Sequence, residues 1–353
     1  MQINVLNISQ QLLGQKMHIL LQQQLIERID HIFCMDRLCH KLQCKFVRCA
    51  SFLLLLFPIW LSASPVADER LEYTISYQGG LSAMAWLDIC DAVLETSQQA
   101  VTVDGEKAYK AVVQITSEHH EKMESLYPFR FQLMSYFSTD MQRAILFDKR
   151  KKTRKDRHEI IRFDWDERVT ERYKRRKSKQ GVDPAAGQAA KSAGVDEAPG
   201  VFSFLGYDST YFRRSGKPGQ KLSVNMLDRL SLLQAVRSQK LAIGEERRLT
   251  ISDGKKVLNY LVRVQTRESL KQDDQKREFL KVRFDAFKAG KWSGTPAHPA
   301  VFIWVTADDL QIPVRFSIDY AMGTFIVQLK QKVPGQAATI ANAFVPTQPS
   351  QAR

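Results

Sequence analysis

From Leu71 the chain places an apolar residue at every second position, Leu71, Tyr73, Ile75 and Tyr77, separated by Glu72, Thr74, Ser76 and Gln78 and followed by Gly79-Gly80. A period of two puts one set on each face of an extended segment, so this stretch reads as a half-buried strand closed by a turn. The same alternation runs through Tyr109, Ala111, Val113 and Ile115, through Phe129, Phe131 and Leu133, and through Ile161, Phe163 and Trp165, which interleave with Arg162, Asp164 and Asp166. One apolar and one polar face is what an antiparallel sheet with a solvated side requires. A second group starts at 248–252, turns at Asp253-Gly254, where both positions tolerate positive φ, and returns through 257–265. Segments 279–284, 301–305, 313–320 and 324–329 complete a meander. A helix is expected from Ser223 or Asn225, either of which can cap it, to about Lys240, with Met226, Leu230 and Leu233 on one face and Leu227 and Val236 beside it. The expected fold is therefore mainly β: a strongly curved antiparallel sheet or incomplete β-barrel with one packed helix.

Two regions lack this patterning. Residues 181–200 are rich in Ala, Gly and Pro and read as a flexible insertion within one β-rich domain spanning 68–332, although an interdomain linker has the same composition. The tail, 333–353, is similar.

Ahead of the strands, basic residues from Lys45 lead into the unbroken apolar run Phe52 to Leu61, then Ser62, Ala63 and Ser64. A run of roughly 10 residues is half the ~20 a spanning helix needs, and Pro58 interrupts it. The layout favours a cleavable export signal within an N-terminal segment 1–67, and so a periplasmic address. Starting at Met35 gives the leader an ordinary length, with Arg37, Lys41, Lys45 and Arg48 supplying its charge; the rival for the residues before it is an amphipathic helix on Leu20, Leu21, Leu25 and Ile29. Cys34, Cys39, Cys44 and Cys49 recur every five residues, which matches neither zinc-ligand pairs nor a disulfide framework, and all precede the cleavage region. Cys90 alone remains, as a small buried hydrophobe. Only six of the 52 Lys and Arg residues precede Asp68, so the exported part stays strongly basic.

In the C-terminal half the elements Asp228-Arg229-Leu230-Ser231-Leu232-Leu233, Arg237, Leu241 to Gly244, Ile303-Trp304-Val305, Asp308-Asp309, Ile312-Pro313-Val314-Arg315 and Gly323 stand in a spaced arrangement. With the export segment and the strand ending at Gly79-Gly80, this resembles a bacterial family of exported proteins called domain of unknown function 3108. The resemblance implies a β-rich envelope protein of Gram-negative bacteria with no established activity. The residues also have a structural reading: Asp308-Asp309 as a polar turn, Pro313 at the first position of a strand, and Arg315 reaching back to an aspartate.

No catalytic signature is present. His120-Glu121 lacks a second histidine at 124, adjacent His119 and His120 would face opposite sides of a strand, and His158 and His298 stand apart, so all four read as surface residues. There is no G-x-S-x-G and no phosphate loop. Asp164 and Asp166 would share a strand face, the one carboxylate pair that invites a hydrolytic reading together with Asp308 and Asp309, but arginines surround them. No metal site and no cofactor are expected, and the balance leans away from an enzyme. The basic run Lys149, Arg150, Lys151, Lys152 is resumed at Arg172, Lys174, Arg175, Arg176 and Lys177, and its first part, Lys149 to Lys155, reads as a solvated hairpin tip between strands ending at Phe147 and starting at Ile160. Export argues against nucleic acid as its partner and for lipid head groups or another anionic envelope component, with peripheral membrane contact. The leading expectation is a non-catalytic protein binding a lipid-like ligand; the alternatives are an assembly partner using the basic hairpin and a carboxylate hydrolase.

Overall fold

The computed structural model describes residues 68–82, 84–153, 156–175, 211–213, 219–272 and 275–334. The expected signal segment 1–67, the insertion 181–200, Arg176, Lys177 and nearly all of the tail lie outside them. The described residues form one mainly β unit, a sheet of fifteen strands. In chain order these are β1 (Glu69–Gly79), β2 (Trp86–Val103), β3 (Glu106–Thr116), β4 (Arg130–Ser138), β5 (Ala144–Lys152), β6 (Asp156–Asp164), β7 (Val169–Arg175), β8 (Tyr211–Arg213), β9 (Met226–Leu227), β10 (Glu246–Ser252), β11 (Val257–Gln272), β12 (Gln275–Lys288), β13 (Val301–Thr306), β14 (Pro313–Tyr320) and β15 (Gly323–Pro334). Neighbours in sequence are neighbours in the sheet except β8 and β9, which form its two edges, and β15 returns to pair with β1. All pairings are antiparallel except β9 with β10. Two helices, α1 (Glu121–Leu126) and α2 (Arg229–Arg237), accompany the sheet.

The sheet's two edges are drawn together by one short segment. Gln220 and Leu222 bond through their backbones to Thr170 and Arg168 of the β7 side, and four residues later Met226 and Leu227 pair with Thr250 and Ile251 of β10. The turn after β10 completes the approach, because a Cβ on Gly254 would collide with Ile161 of β6. This makes an incomplete barrel. Its inner face carries Leu71, Tyr73, Ile75 and Tyr77 of β1, all almost fully buried. Tyr77, Phe129, Phe147, Phe163 and Phe325 are among the largest side chains with under 2 % exposure, so the described interior is packed rather than hollow.

Two expectations are corrected. The helix does not begin at Ser223 or Asn225: Met226 and Leu227 are claimed by the sheet, and Asp228 caps the helix one residue later. The basic run is not a hairpin tip, since β5 extends to Lys152 and β6 begins at Asp156. Within the sheet, β2 interrupts its alternation by burying both Ile89 and Cys90 where the register with β1 shifts between Ile75 and Ser76.

The outer face is not uniformly solvated. Asp104, at the tip of the β2–β3 hairpin, accepts a hydrogen bond from Arg162 Nε of β6 at 2.5 Å, and Val103 and Ala108 pack with Tyr136, Leu146, Ile160 and Tyr173 in a second small core.

Candidate functional site

The inner face holds two polar regions of opposite character. The first is a row of residues in direct register across four strands: Glu69 of β1 faces Thr96, Thr96 faces Ala111, and Ala111 faces Ser135 of β4. Helix α2 lies along this row. Ser135 Oγ donates to Asp228 Oδ2 at 2.6 Å, Gln234 Nε2 donates to Thr96 Oγ1 at 3.3 Å, and Arg237 Nη1 pairs with Glu69 at 2.5 Å. The match is geometric: a nine-residue helix rises about 14 Å at ~1.5 Å per residue, and three strand spacings of ~4.8 Å cover the same length. Asp228 also accepts from Leu230 and Ser231 N–H, and Ser231 Oγ accepts from the Asp228 N–H, a capping box. Burial pushes the Asp228 carboxyl above the usual carboxylate range, against the pull of Ser135 and the two backbone donors. Gln311 closes the far end. Its side chain donates to the Arg237 and Gln239 carbonyls while its own carbonyl accepts from Arg237 Nε at 3.1 Å.

These contacts explain most of the spaced C-terminal elements. Asp228 and Arg237 are the two ends of the helix lock. Asp308 makes an Asx turn, accepting from the Leu310 and Gln311 N–H groups, and thereby sets Gln311; Asp309 is exposed. Pro313 opens β14, and its carbonyl accepts from the buried Tyr73 hydroxyl at 2.8 Å. Gly244 takes a left-handed turn at φ 84° before β10. Gly323 faces Gly79, where a Cβ on either would strike the Tyr77 ring or backbone oxygen. Arg315 does not reach an aspartate; its guanidinium lies 5.2 Å from the Trp304 ring centre, on the outer face, and Trp304 Nε1 donates to Glu268. Glu69, Thr96, Ser135, Gln234 and Gln311 escaped the sequence reading. Their signal was a polar side chain at a core-facing step of an apolar pattern.

The second region is the inner wall of β5, β6 and β7. Because the basic run is strand, its side chains alternate. Register places Lys149 opposite Leu133 and Lys151 opposite Phe131, on the inner face. Lys149 Nζ sits 5.7 Å from the Phe131 ring centre and Lys151 Nζ 5.6 Å from that of Phe129. Lys151 is only 7 % exposed, rare for a lysine. Glu159, paired across to Lys149, Arg172, which ion-pairs with Glu159, and Lys174 continue this face. Arg150 points the other way and donates to the buried His158–Asp148 pair, and Lys152 is exposed. Arg175 ends β7.

With this geometry in place, the match to known proteins is specific. Residues 72–330 match the model of the protein family of unknown function DUF3108. The chain belongs to that family. No curated protein sequence matches it. Among solved structures, a β-barrel-like protein of domain of unknown function DUF1849 from Brucella abortus aligns at 10% identity over 76% of this chain and 97% of its own, with a TM-score of 0.44. A putative lipoprotein from Parabacteroides distasonis aligns at 8% identity, covering 76% and 97%, and a putative exported protein with a YmcC-like fold from Bacteroides fragilis at 8%, covering 75% and 95%, each with a TM-score of 0.27.

In this DUF3108 protein the remaining chemical candidates resolve into structural contacts. Asp164 ends β6 while Asp166 lies exposed in the following turn, so the two do not share a strand face. Burial raises the Asp164 carboxyl, but the Glu167 N–H and Arg162 outweigh it and hold it below the usual range. His119 and His120 do not diverge from a strand; they precede α1, and both rings lie near Asp91 Oδ2, at 3.0 and 3.3 Å. His158 is tucked against Asp148 at 2.7 Å rather than on the surface. Cys90 is buried, which pushes its thiol up to about 12 and makes it unreactive. Among the described residues no three His, Cys, Asp or Glu side chains gather as a metal site would require.

Proposed function

We propose that this DUF3108 protein is an exported, non-catalytic component of the Gram-negative periplasm that holds an anionic amphiphile of the envelope. The single observation supporting this reading is the inner wall of β5 to β7, where Lys149, Lys151, Arg172 and Lys174 share a face with Phe129, Phe131 and Leu133. Lysine nitrogens held over buried aromatic rings, with an arginine and a further lysine beside them, suit a phosphate or carboxylate head, because charge-assisted hydrogen bonds take the head while the rings hold the lysine side chains in place. The packed interior leaves the wall itself, rather than a hollow lumen, as the contact. The export segment supplies the compartment and with it the class of ligand.

Mass spectrometry of the full chain purified after export-competent expression tests this. The expected result is co-purified acidic lipid that is lost when Lys149, Lys151 and Lys174 are all replaced by Gln, with the melting temperature retained. Protein free of lipid that also fails to bind phosphatidylglycerol micelles overturns the reading.

A further inference from the structure

Three turns meet where the edge-joining segment leaves β7. They are the β4–β5 turn, the β6–β7 turn and residues 223–225, and together they enclose a cleft of about 340 Å³ lined by Asp140, Gln142, Arg143, Trp165, Arg168, Leu222, Ser223, Val224 and Asn225. The cleft is separate from the wall of β5 to β7 and depends on nothing proposed for it. Each turn carries a non-glycine residue in the left-handed region: Met141 at φ 58°, Arg168 at φ 53° and Asn225 at φ 61°. Half of the molecule's six such described residues thus surround one cleft, and strain of this kind collects where a site must be shaped.

Its aromatic floor is held in advance of any ligand. Trp165 Nε1 donates to the Ala144 carbonyl at 2.8 Å, the Arg143 guanidinium lies 5.5 Å from the indole centre, and Glu106 fixes that guanidinium at 2.9 Å. Around this platform the side chains of Gln142, Arg168, Ser223 and Asn225 make no hydrogen bond or ion pair with the described residues. Two amides, a hydroxyl and a guanidinium therefore surround a pinned indole.

We infer that this cleft binds an acidic saccharide unit, with one face of the sugar ring against Trp165, its hydroxyls on Gln142, Ser223 and Asn225, and its carboxylate or phosphate on Arg168. The sugar's axial C–H groups form an apolar patch that suits an aromatic surface, its hydroxyls match planar amides that both donate and accept, and a guanidinium binds an oxyanion through two parallel hydrogen bonds. A volume at the lower end of small-ligand sites fits one or two pyranose rings. A preformed platform lowers the ordering cost of binding.

The oxyanion has two sources, a uronic acid and a sugar phosphate. Isothermal titration of the full chain with trigalacturonate, with mannose 6-phosphate and with neutral maltotriose separates them. One acidic arm is expected to bind, at least tenfold more tightly than maltotriose. Arg168→Gln, at an exposed position, is expected to weaken that arm at least tenfold, and Trp165→Phe to weaken it severalfold, while Lys276→Gln on the distant β12 leaves it unchanged. Circular dichroism melting of each variant reports that the fold is retained. Absence of binding by both acidic arms at millimolar concentration overturns the inference, as does equal binding of maltotriose or unchanged binding by Arg168→Gln.

Discussion

The row beneath α2 and the wall of β5 to β7 are both polar surfaces inside the same barrel, yet they differ in the balance of charge they carry. Along the row each charge has a named partner: Arg237 meets Glu69 and the Gln311 carbonyl, and Asp228 takes three hydrogen bonds. On the wall the cations meet rings as well as an acid: Lys149 and Lys151 lie over Phe131 and Phe129, and Arg172 ion-pairs with Glu159, which is in register with Lys149 and Lys174. A buried ion pair satisfied within the fold fixes one arrangement of the chain. A surface with several like charges carries a net field of one sign, to which an oppositely charged group is drawn. The difference separates the polar residues that hold the molecule together from those proposed to meet a ligand.

The largest effect should come from breaking the row. Arg237→Ala leaves Glu69 buried without its partner and is expected to cost about 3–5 kcal/mol, read as a lower urea midpoint; replacing both as Glu69→Gln with Arg237→Met should recover most of it. If the double variant is no better than the single one, the row is not a paired lock. Next is Ala111→Leu, which pushes a larger side chain under the helix between Thr96 and Ser135 and should cost about 1–3 kcal/mol; a neutral result would mean the helix does not lie close on β3.

The pH dependence of stability sharpens the comparison further. Asp228 has its pKa raised on folding, so its contribution is full below the unfolded carboxylate value and is lost as pH rises through the folded value. Asp164 has its pKa lowered, so its contribution is present above the unfolded value and is lost as pH falls through the folded one. Urea midpoints across the acid range should therefore fall less steeply with rising pH in Asp228→Asn, and rise less steeply in Asp164→Asn. The smallest effect is expected on the wall. Lys151→Met should leave stability unchanged or raise it by about 0.5–1 kcal/mol in ligand-free protein, as removal of a functional charge often does. A large loss in thermal melting would place Lys151 with the structural row instead.

How much of this was legible in the sequence follows from where each pattern stays simple. The alternation at Leu71 to Tyr77 read correctly because β1 is buried on one face alone. Simple alternation is absent from β2, where a bulge buries Ile89 and Cys90 in succession, and from β5, where the first half is buried on both faces by the lapping β2–β3 hairpin and the second half looks like a solvated charge run. The helix was visible from its apolar spacing, but its start was misplaced because the pairing of Met226 with Thr250 is a long-range contact that local propensity does not report. Of the candidate sites, the basic run was legible as composition, but its division into an inner set and an outer set was not.

By itself the sequence determined a β-rich chain with an export-like segment, a basic surplus, the spaced residues of the DUF3108 family and the strand faces that local alternation can set. Only the tertiary structure decided that Glu69, Thr96, Ala111 and Ser135 fall in one row, that a nine-residue helix spans it, and that Lys151 faces Phe129 while Arg150 faces His158. The physical reason is that alternation tells which residues of one strand share a face, whereas register and closure tell which strands bring those faces together, and both are settled by contacts between residues far apart in the chain.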